Sequence, residues 1–83
     1  MRSADVLAHR RALLDLADAA IHAADTAVQV AYAEGLRLAA ITVGQASDHT
    51  DAVHRLEEML TVAHSSGLRV GISKALELTR GAP

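Results

Sequence analysis

Residues 14–33, LDLADAAIHAADTAVQVAYA, decide the fold that this sequence predicts. Apolar side chains recur there with a period of seven, and the pattern reaches back to Leu7. Because seven residues complete about two helical turns, residues at this spacing lie on one side of a helix. We call this set the heptad stripe; it combines large side chains and alanines, namely Leu7, Leu14, Ile21 and Val28 with Ala17, Ala24 and Ala31.

The alanines of the heptad stripe indicate close packing against another helix. Small side chains at alternate contact layers let two backbones approach nearer than the usual distance of about 8–10 Å. The 83-residue chain contains 18 alanines, one Tyr and no Phe or Trp. A buried alanine contributes far less than the roughly 1.5–3 kcal/mol of a larger apolar side chain, so a monomeric core is thin. We therefore expect a homo-oligomer, with a dimer favoured, assembled through the heptad stripe.

Composition excludes several classes of protein. The net charge of −2 argues against nonspecific attraction to nucleic acids or membranes. The absence of cysteine removes disulfides, thiolate nucleophiles and most structural zinc sites. No secretory signal is recognisable, and no apolar run approaches the roughly 20 residues that span a bilayer. We expect a single domain over residues 1–83, cytoplasmic, with no membrane association and no cofactor.

The sequence predicts an all-α bundle of one long helix and two shorter ones. A bend near Asp15–Asp18, or a split of the long helix into two, stays open. Asp48 or Thr50 is expected to cap the second helix, and Gly81 with Pro83 to stop the third. Ser3 is a candidate N-cap, with Asp5 in the first turn. The predicted helices span about 4–41, 50–64 and 68–80.

Two polar clusters are candidates for metal binding or acid–base chemistry. In each cluster, carboxylates and an imidazole lie three or four residues apart, about one helical turn, and these groups could bind a divalent metal or tune a histidine for proton transfer. The favoured interpretation is a solvated helix face for the first cluster and a capped acidic first turn for the second. We therefore predict no metal site and no catalytic residue. The clusters are Arg11, Asp15, Asp18, His22, Asp25 and Gln29, and Asp48, His49, Asp51, His54, Glu57 and Glu58.

A helix-turn-helix over Met59–Leu78 is a further candidate. Its turn glycine is Gly67, and Arg69, Lys74 and Arg80 are the residues that would contact nucleic acid. Ser73, however, stands where an inward aliphatic side chain is expected, and the segment carries no strong basic excess.

The order of several short motifs resembles that of small bacterial HEPN domains (higher eukaryotes and prokaryotes nucleotide-binding). These motifs are AIHAADTAV at residues 20–28, Gly35, SDHTDAVHRLEEML at residues 47–60, and a short helix near Leu78. The resemblance, over roughly residues 13–80, implies an up-and-down helical bundle that dimerises. HEPN members include RNA-cleaving toxins paired with nucleotidyltransferase antitoxins, and also noncatalytic binding partners.

One motif of the catalytic HEPN members is missing. They carry an Arg and a His a few residues apart near the last helix, whereas Arg80 is followed only by Gly81, Ala82 and Pro83. The resemblance therefore implies no RNase activity. Our leading hypothesis is a non-enzymatic, self-associating interaction module, with a second protein as a further candidate partner. The alternative is a HEPN-like or helix-turn-helix-like component of a toxin–antitoxin or regulatory system that binds nucleic acid or nucleotides through Arg69, Lys74 and Arg80.

Overall fold

The protein is a bundle of four helices. The computed structural model describes residues 3–81, with side chains from residue 6 onward, and this part of the chain contains no strand. The prediction of an all-α bundle is confirmed. The expected capping by Ser3 and Asp5 and the expected stop at Pro83 lie outside the described side chains. The helices are α1 (Ser3–Ala23), α2 (Ala27–Gln45), α3 (His49–Val62) and α4 (Ser66–Arg80).

The long predicted helix is two helices, separated at Thr26. The backbone of Thr26 is extended, and its hydroxyl accepts a hydrogen bond from the backbone N–H of Gln29. The Gln29 side chain in turn accepts from the backbone N–H groups of Thr26 and Asp25. This reciprocal capping box satisfies donors that a helix start leaves unpaired, so it stabilises a new helix at this point.

The other predicted interruptions of the long helix are absent. Helix α1 runs without a break through Asp15–Asp18, and α2 runs through Gly35 to Gln45, past the predicted end at Ile41. No break of the helix therefore occurs at Asp15–Asp18. The split that the sequence left open occurs about eight residues later, where the capping box of α2 lies.

Helix α2 is the central element of the bundle. It packs against α1 on one side and α4 on another, and α3 packs mainly on α4. Its own contribution to the core consists largely of alanines, with Leu36 and Val43 as its large buried side chains. Alanines on α2 let its neighbours approach closely, which keeps a core without Phe or Trp compact. The buried core comprises Val6, Leu13, Ala17, Leu36, Ala39, Ala40, Val43, Ala52, Leu56, Ala75 and Leu76.

Helices α2 and α4 cross almost in backbone contact. A Cβ atom added to Gly35 would lie 2.6 Å from the carbonyl oxygen of Leu68 and 3.1 Å from the Cα of Gly71. One added to Gly67 would lie 2.6 Å from the Cβ of Ala31. Because Gly67 and Gly71 are four residues apart, they face α2 together. The close helix approach that the alanines predicted thus exists within one chain, between α2 and α4.

The two connections that flank α3 are set by short polar caps. Asp48 caps α3 by accepting from the backbone N–H of Asp51, as one of the two predicted alternatives expected. Ser65 caps α4 by accepting from the N–H of Leu68. Helix α3 therefore begins one residue before its predicted start, and α4 two residues before. None of the helices formed by residues 3–81 is long and apolar enough to cross a membrane.

Candidate functional site

The large side chains of the heptad stripe on α1 remain exposed in the folded chain. Leu7 is 58% exposed and Ile21 is 42% exposed, while Leu14 between them is half-buried. The side of α1 that is buried in the core is formed by Val6 and Leu13 together with Ala17, and Leu14 packs against its edge. An apolar line thus runs along α1 from Leu7 through Leu14 to Ile21, and the described residues leave its two ends exposed.

The remaining members of the heptad stripe are separated from this line. Ala17 is buried in the core, and Ala24 lies in the connection between α1 and α2. Ala31 and Val28 are on α2, where both lie next to Gly67 of α4. The alanines therefore pack within the chain, because the break at Thr26 turns the second half of the stripe onto a different helix. Val28 remains 61% exposed, but outside the line on α1.

Helix α2 extends the exposed apolar line into a wider surface, which we call the α1/α2 face. Two shallow depressions follow the groove between the helices and are joined by Arg37, which lines both. Ile21 lines the first depression, and Leu14 and Ile41 line the second. A third depression, beside Leu7, continues the groove along α1. The α1/α2 face consists of Leu7, Arg10, Arg11, Leu14, Asp18, Ile21, Glu34, Arg37 and Ile41.

Charges of opposite sign occupy the two ends of the α1/α2 face. Asp18 and Glu34 line the depression at one end, and Arg10 and Arg11 line the depression at the other. Arg37 lies between them. None of these five side chains forms an ion pair with another described residue. The face is therefore an apolar line with an acidic end, which Arg37 also lines, and a basic end.

The three predicted nucleic-acid-binding residues do not form a cluster with free charges. Arg69 donates from Nη1 to the carbonyl oxygen of Leu60 at 2.9 Å, so it caps the C-terminal end of α3. Arg80 pairs with Glu57 of α3 at 2.9 Å. Lys74 is exposed on α4. Two of the three cations thus have structural partners within the bundle.

The two polar clusters are distributed over separate local contacts. In the first, all members are exposed, and His22 donates from Nδ1 to the backbone carbonyl of Asp18 at 2.7 Å. In the second, the side chains form separate pairs such as His54 with Glu58. No three of the described carboxylates and imidazoles are grouped in a way that could hold a metal ion.

Asp51 makes the strongest of these local contacts. Its carboxylate accepts from the backbone N–H of Ser47 and from Nε of Arg55, both at 2.9 Å. The Ser47 hydrogen bond and the Arg55 guanidinium lower the pKa of this carboxyl group. The cluster therefore ties the start of α3 to the preceding loop.

A contact that the sequence did not reveal joins α1, α3 and α4. His9 of α1 lies 2.8 Å through Nε2 from the hydroxyl of Thr79, and His49 of α3 lies 2.6 Å through Nε2 from the Thr79 carbonyl oxygen. Thr79 is completely buried. Burial lowers the pKa of His9, and the neighbouring imidazole of His49 lowers it further. No motif spacing indicates this contact, since Thr79 is 70 residues from His9 and 30 residues from His49 in the chain.

Comparison of the chain with protein-family models, with curated proteins and with solved structures finds no match. The resemblance to HEPN domains stays a prediction.

Proposed function

We propose that this protein is a non-enzymatic interaction module that forms a homodimer through the α1/α2 face. The observation that carries the proposal is the apolar line of exposed Leu7 and Ile21 with half-buried Leu14 between them, flanked by charges that form no ion pair with other described residues. Contiguous apolar surface with a polar rim is typical of protein-binding sites. The bundle needs such an association, because much of its core is alanine and a small alanine-rich core has a narrow margin of stability.

The charges of the face favour a second copy of the chain as the partner. In a two-fold symmetric dimer both copies use the same face, so every contact from one copy to the other is repeated in the opposite direction. An axis near the middle of the face, close to Leu14, brings the basic end of one copy against the acidic end of the other. Arg10 and Arg11 then lie opposite Asp18 and Glu34, twice in each dimer. Opposite charges placed in this way fix the register and orientation of the two copies.

The apolar contact is tested with two matched substitutions. Leu7→Glu places a charge on the α1/α2 face, whereas Val62→Glu places one at a similarly exposed position of α3, outside the face. We expect Leu7→Glu to weaken dimerisation at least tenfold, which corresponds to about 1.4 kcal/mol, and Val62→Glu to leave it unchanged. The measurement is the molar mass by light scattering over a tenfold range of concentration. A monomeric parent protein, or equal effects of the two substitutions, contradicts the proposal.

The antiparallel pairing of the charged ends is tested by giving both ends of the face the same sign of charge. A chain with Asp18→Lys and Glu34→Lys has two basic ends, and a chain with Arg10→Glu and Arg11→Glu has two acidic ends. Each variant repels its own copy, so each is expected to be monomeric at low salt. Mixed in equal amounts, the two variants are expected to form a heterodimer. A mixture that stays monomeric, while both variants keep the helix content of the parent, contradicts the antiparallel register.

A second candidate function, nucleic-acid binding, is supported by the arginines of the α1/α2 face. Arg10, Arg11 and Arg37 line adjoining depressions and lack ion-pair partners among the described residues. Binding of a labelled RNA or DNA should weaken as salt rises, because bound phosphates release counterions. The double variant Arg10→Gln and Arg11→Gln is expected to abolish that binding, whereas a loss caused by Lys74→Gln instead would favour the helix-turn-helix surface. Absence of any binding at low salt removes this candidate.

A further inference from the structure

We propose that the contact of His9 and His49 with Thr79 is a pH-sensitive latch, which holds the N-terminal half of α1 on the bundle at neutral pH and releases it in acid. The residues come from three different helices and converge on one buried side chain. We call this contact the histidine latch.

The hydrogen bonds of Thr79 define the protonation of both histidines in the closed latch. The Thr79 hydroxyl donates to the carbonyl oxygen of Ala75 at 2.7 Å, so its oxygen is left to accept from His9. The Thr79 carbonyl can only accept, so His49 also donates. Each imidazole thus carries its proton on Nε2, and both can remain neutral with the latch intact. Thr79 uses its hydroxyl and its carbonyl to hold α1 and α3 at once.

Among the described residues, none forms an ion pair with His9 that would compensate a positive charge there. The buried residues of α2, α3 and α4 are all uncharged. The titratable group that acts on His9 is His49, and its effect is repulsive. Arg80, which follows Thr79, is exposed and pairs with Glu57 of α3. Protonation of His9 therefore places an unpaired charge in a half-buried position beside a second imidazole, which is unfavourable.

The sign of the pH effect follows from the lowered pKa of His9. In a released α1 the His9 imidazole returns to its ordinary value of 6.5, while in the closed bundle it binds a proton less readily. The closed state is therefore fully stabilised above pH 6.5 and loses that stabilisation as the pH falls towards the lowered value. The opening equilibrium rises by about tenfold for each pKa unit that separates the two states.

Helix α1 is the element that this loss affects first. It packs mainly on α2, and its N-terminal half is held by the buried side chains of Val6 and Leu13 together with the hydrogen bond from His9 to Thr79. A segment of two turns that leaves the bundle is too short to stay helical in water. It also carries Leu7, Arg10 and Arg11 of the α1/α2 face. Acid opening of the latch therefore also dissociates the proposed dimer. This last step alone rests on the proposed function.

Hydrogen exchange measured by NMR tests the latch whether or not the protein dimerises. The amides of residues 7–13 are followed from pH 7.5 to pH 5.0, corrected for the intrinsic pH dependence of exchange, with the amides of α2 as an internal reference. We expect protection of residues 7–13 to fall in acid, while α2 keeps its protection. His9→Gln, which retains a side-chain N–H donor and cannot titrate, should make the profile of α1 flat. His22→Gln, at an exposed histidine of the same helix, should leave the parent profile unchanged.

A second variant keeps the test decisive if His9→Gln folds poorly. His49→Gln removes the repulsive imidazole while His9 still titrates, so the acid transition of α1 should move to lower pH. A parent profile that is flat from pH 7.5 to pH 5.0, or one that His9→Gln leaves unchanged, overturns the latch. Light scattering at both pH values completes the experiment. A protein that is monomeric throughout refutes the proposed dimer, whereas the exchange profile of α1 still decides the latch.

Discussion

Replacing Gly71 by alanine should destabilise the bundle, although alanine is the better helix former. A Cβ atom at this position would lie 3.0 Å from the Cα of Gly35 and from the backbone N of Leu36, and nearer still to the carbonyl oxygen of Tyr32. All three atoms belong to the backbone of α2, so no side chain can rotate away. Helices α2 and α4 must separate instead, which loosens the packing of the alanine-rich core between them.

The expected change in unfolding free energy is the difference between an overpacking cost and a gain in helix propensity. Overpacking of a tight contact costs about 1–3 kcal/mol, and backbone atoms on both sides place Gly71 at the upper end of that range. Alanine in place of glycine in a helix regains about 1 kcal/mol. The expected net loss is about 2 kcal/mol of unfolding free energy. With a urea dependence of about 1–1.5 kcal/mol/M for a small domain, the midpoint of unfolding falls by about 1.5 M.

Gly44→Ala is the matched control. Its added Cβ would meet the Cδ of Arg10 at 2.7 Å, with the other nearby atoms at 3.6 Å, and all of them belong to one flexible exposed side chain. Arg10 can move aside, so the helix-propensity gain of up to about 1 kcal/mol should remain. Urea unfolding is followed by circular dichroism at 222 nm, since the chain has no Trp. If the two variants shift the midpoint in the same direction and by similar amounts, the close crossing of α2 and α4 does not exist.

Three further substitutions test separate contacts by the same urea assay. Thr26→Ala removes the capping box of α2 and should cost about 1 kcal/mol; no loss of stability would contradict that role. Thr79→Val keeps the side-chain shape but removes the hydroxyl that binds His9, and should cost about 1 kcal/mol at pH 7.5; an unchanged midpoint would contradict that hydrogen bond. Asp51→Asn should lower the midpoint at pH 6 but not at pH 2, because the lowered pKa of Asp51 stabilises the fold only while the carboxylate is charged; equal losses at both pH values would exclude this explanation.

Most of the fold could be predicted from periodicity and caps. The helix class, the cap at Asp48 and the approximate extents of α3 and α4 all follow from local pattern, because helix starts depend on residues within one turn. The break at Thr26 carried a local signal as well, since T-A-V-Q at residues 26–29 has the spacing of a capping box. That signal was outweighed by the heptad stripe, because its seven-residue spacing continues from α1 into α2 although the helix itself is interrupted.

The position of Gly35 shows what local pattern could not supply. It lies inside α2 opposite Gly71, where only the absence of both side chains permits the crossing. The two glycines are 36 positions apart in the sequence, and nothing near either one identifies the other. For the same reason the alanines indicated close packing without identifying its partner. The histidine latch was hidden in the same way, because Thr79 and His9 meet only once the chain has folded.

The division of the heptad stripe explains why α1 combines the candidate interface with the latch. Helix α2 has α1 on one side and α4 on another, and its small residues are buried between them. Helix α1 packs mainly on α2 and keeps Leu7 and Ile21 in solvent, beside the exposed Ile41 of α2. Among the described residues of α1, His9 contacts a buried residue of another helix through its imidazole, a group whose charge changes near neutral pH. Helix α1 therefore carries both the exposed apolar residues of the proposed interface and the histidine of the proposed latch, so a proton at His9 and a partner at Leu7 act on the same helix.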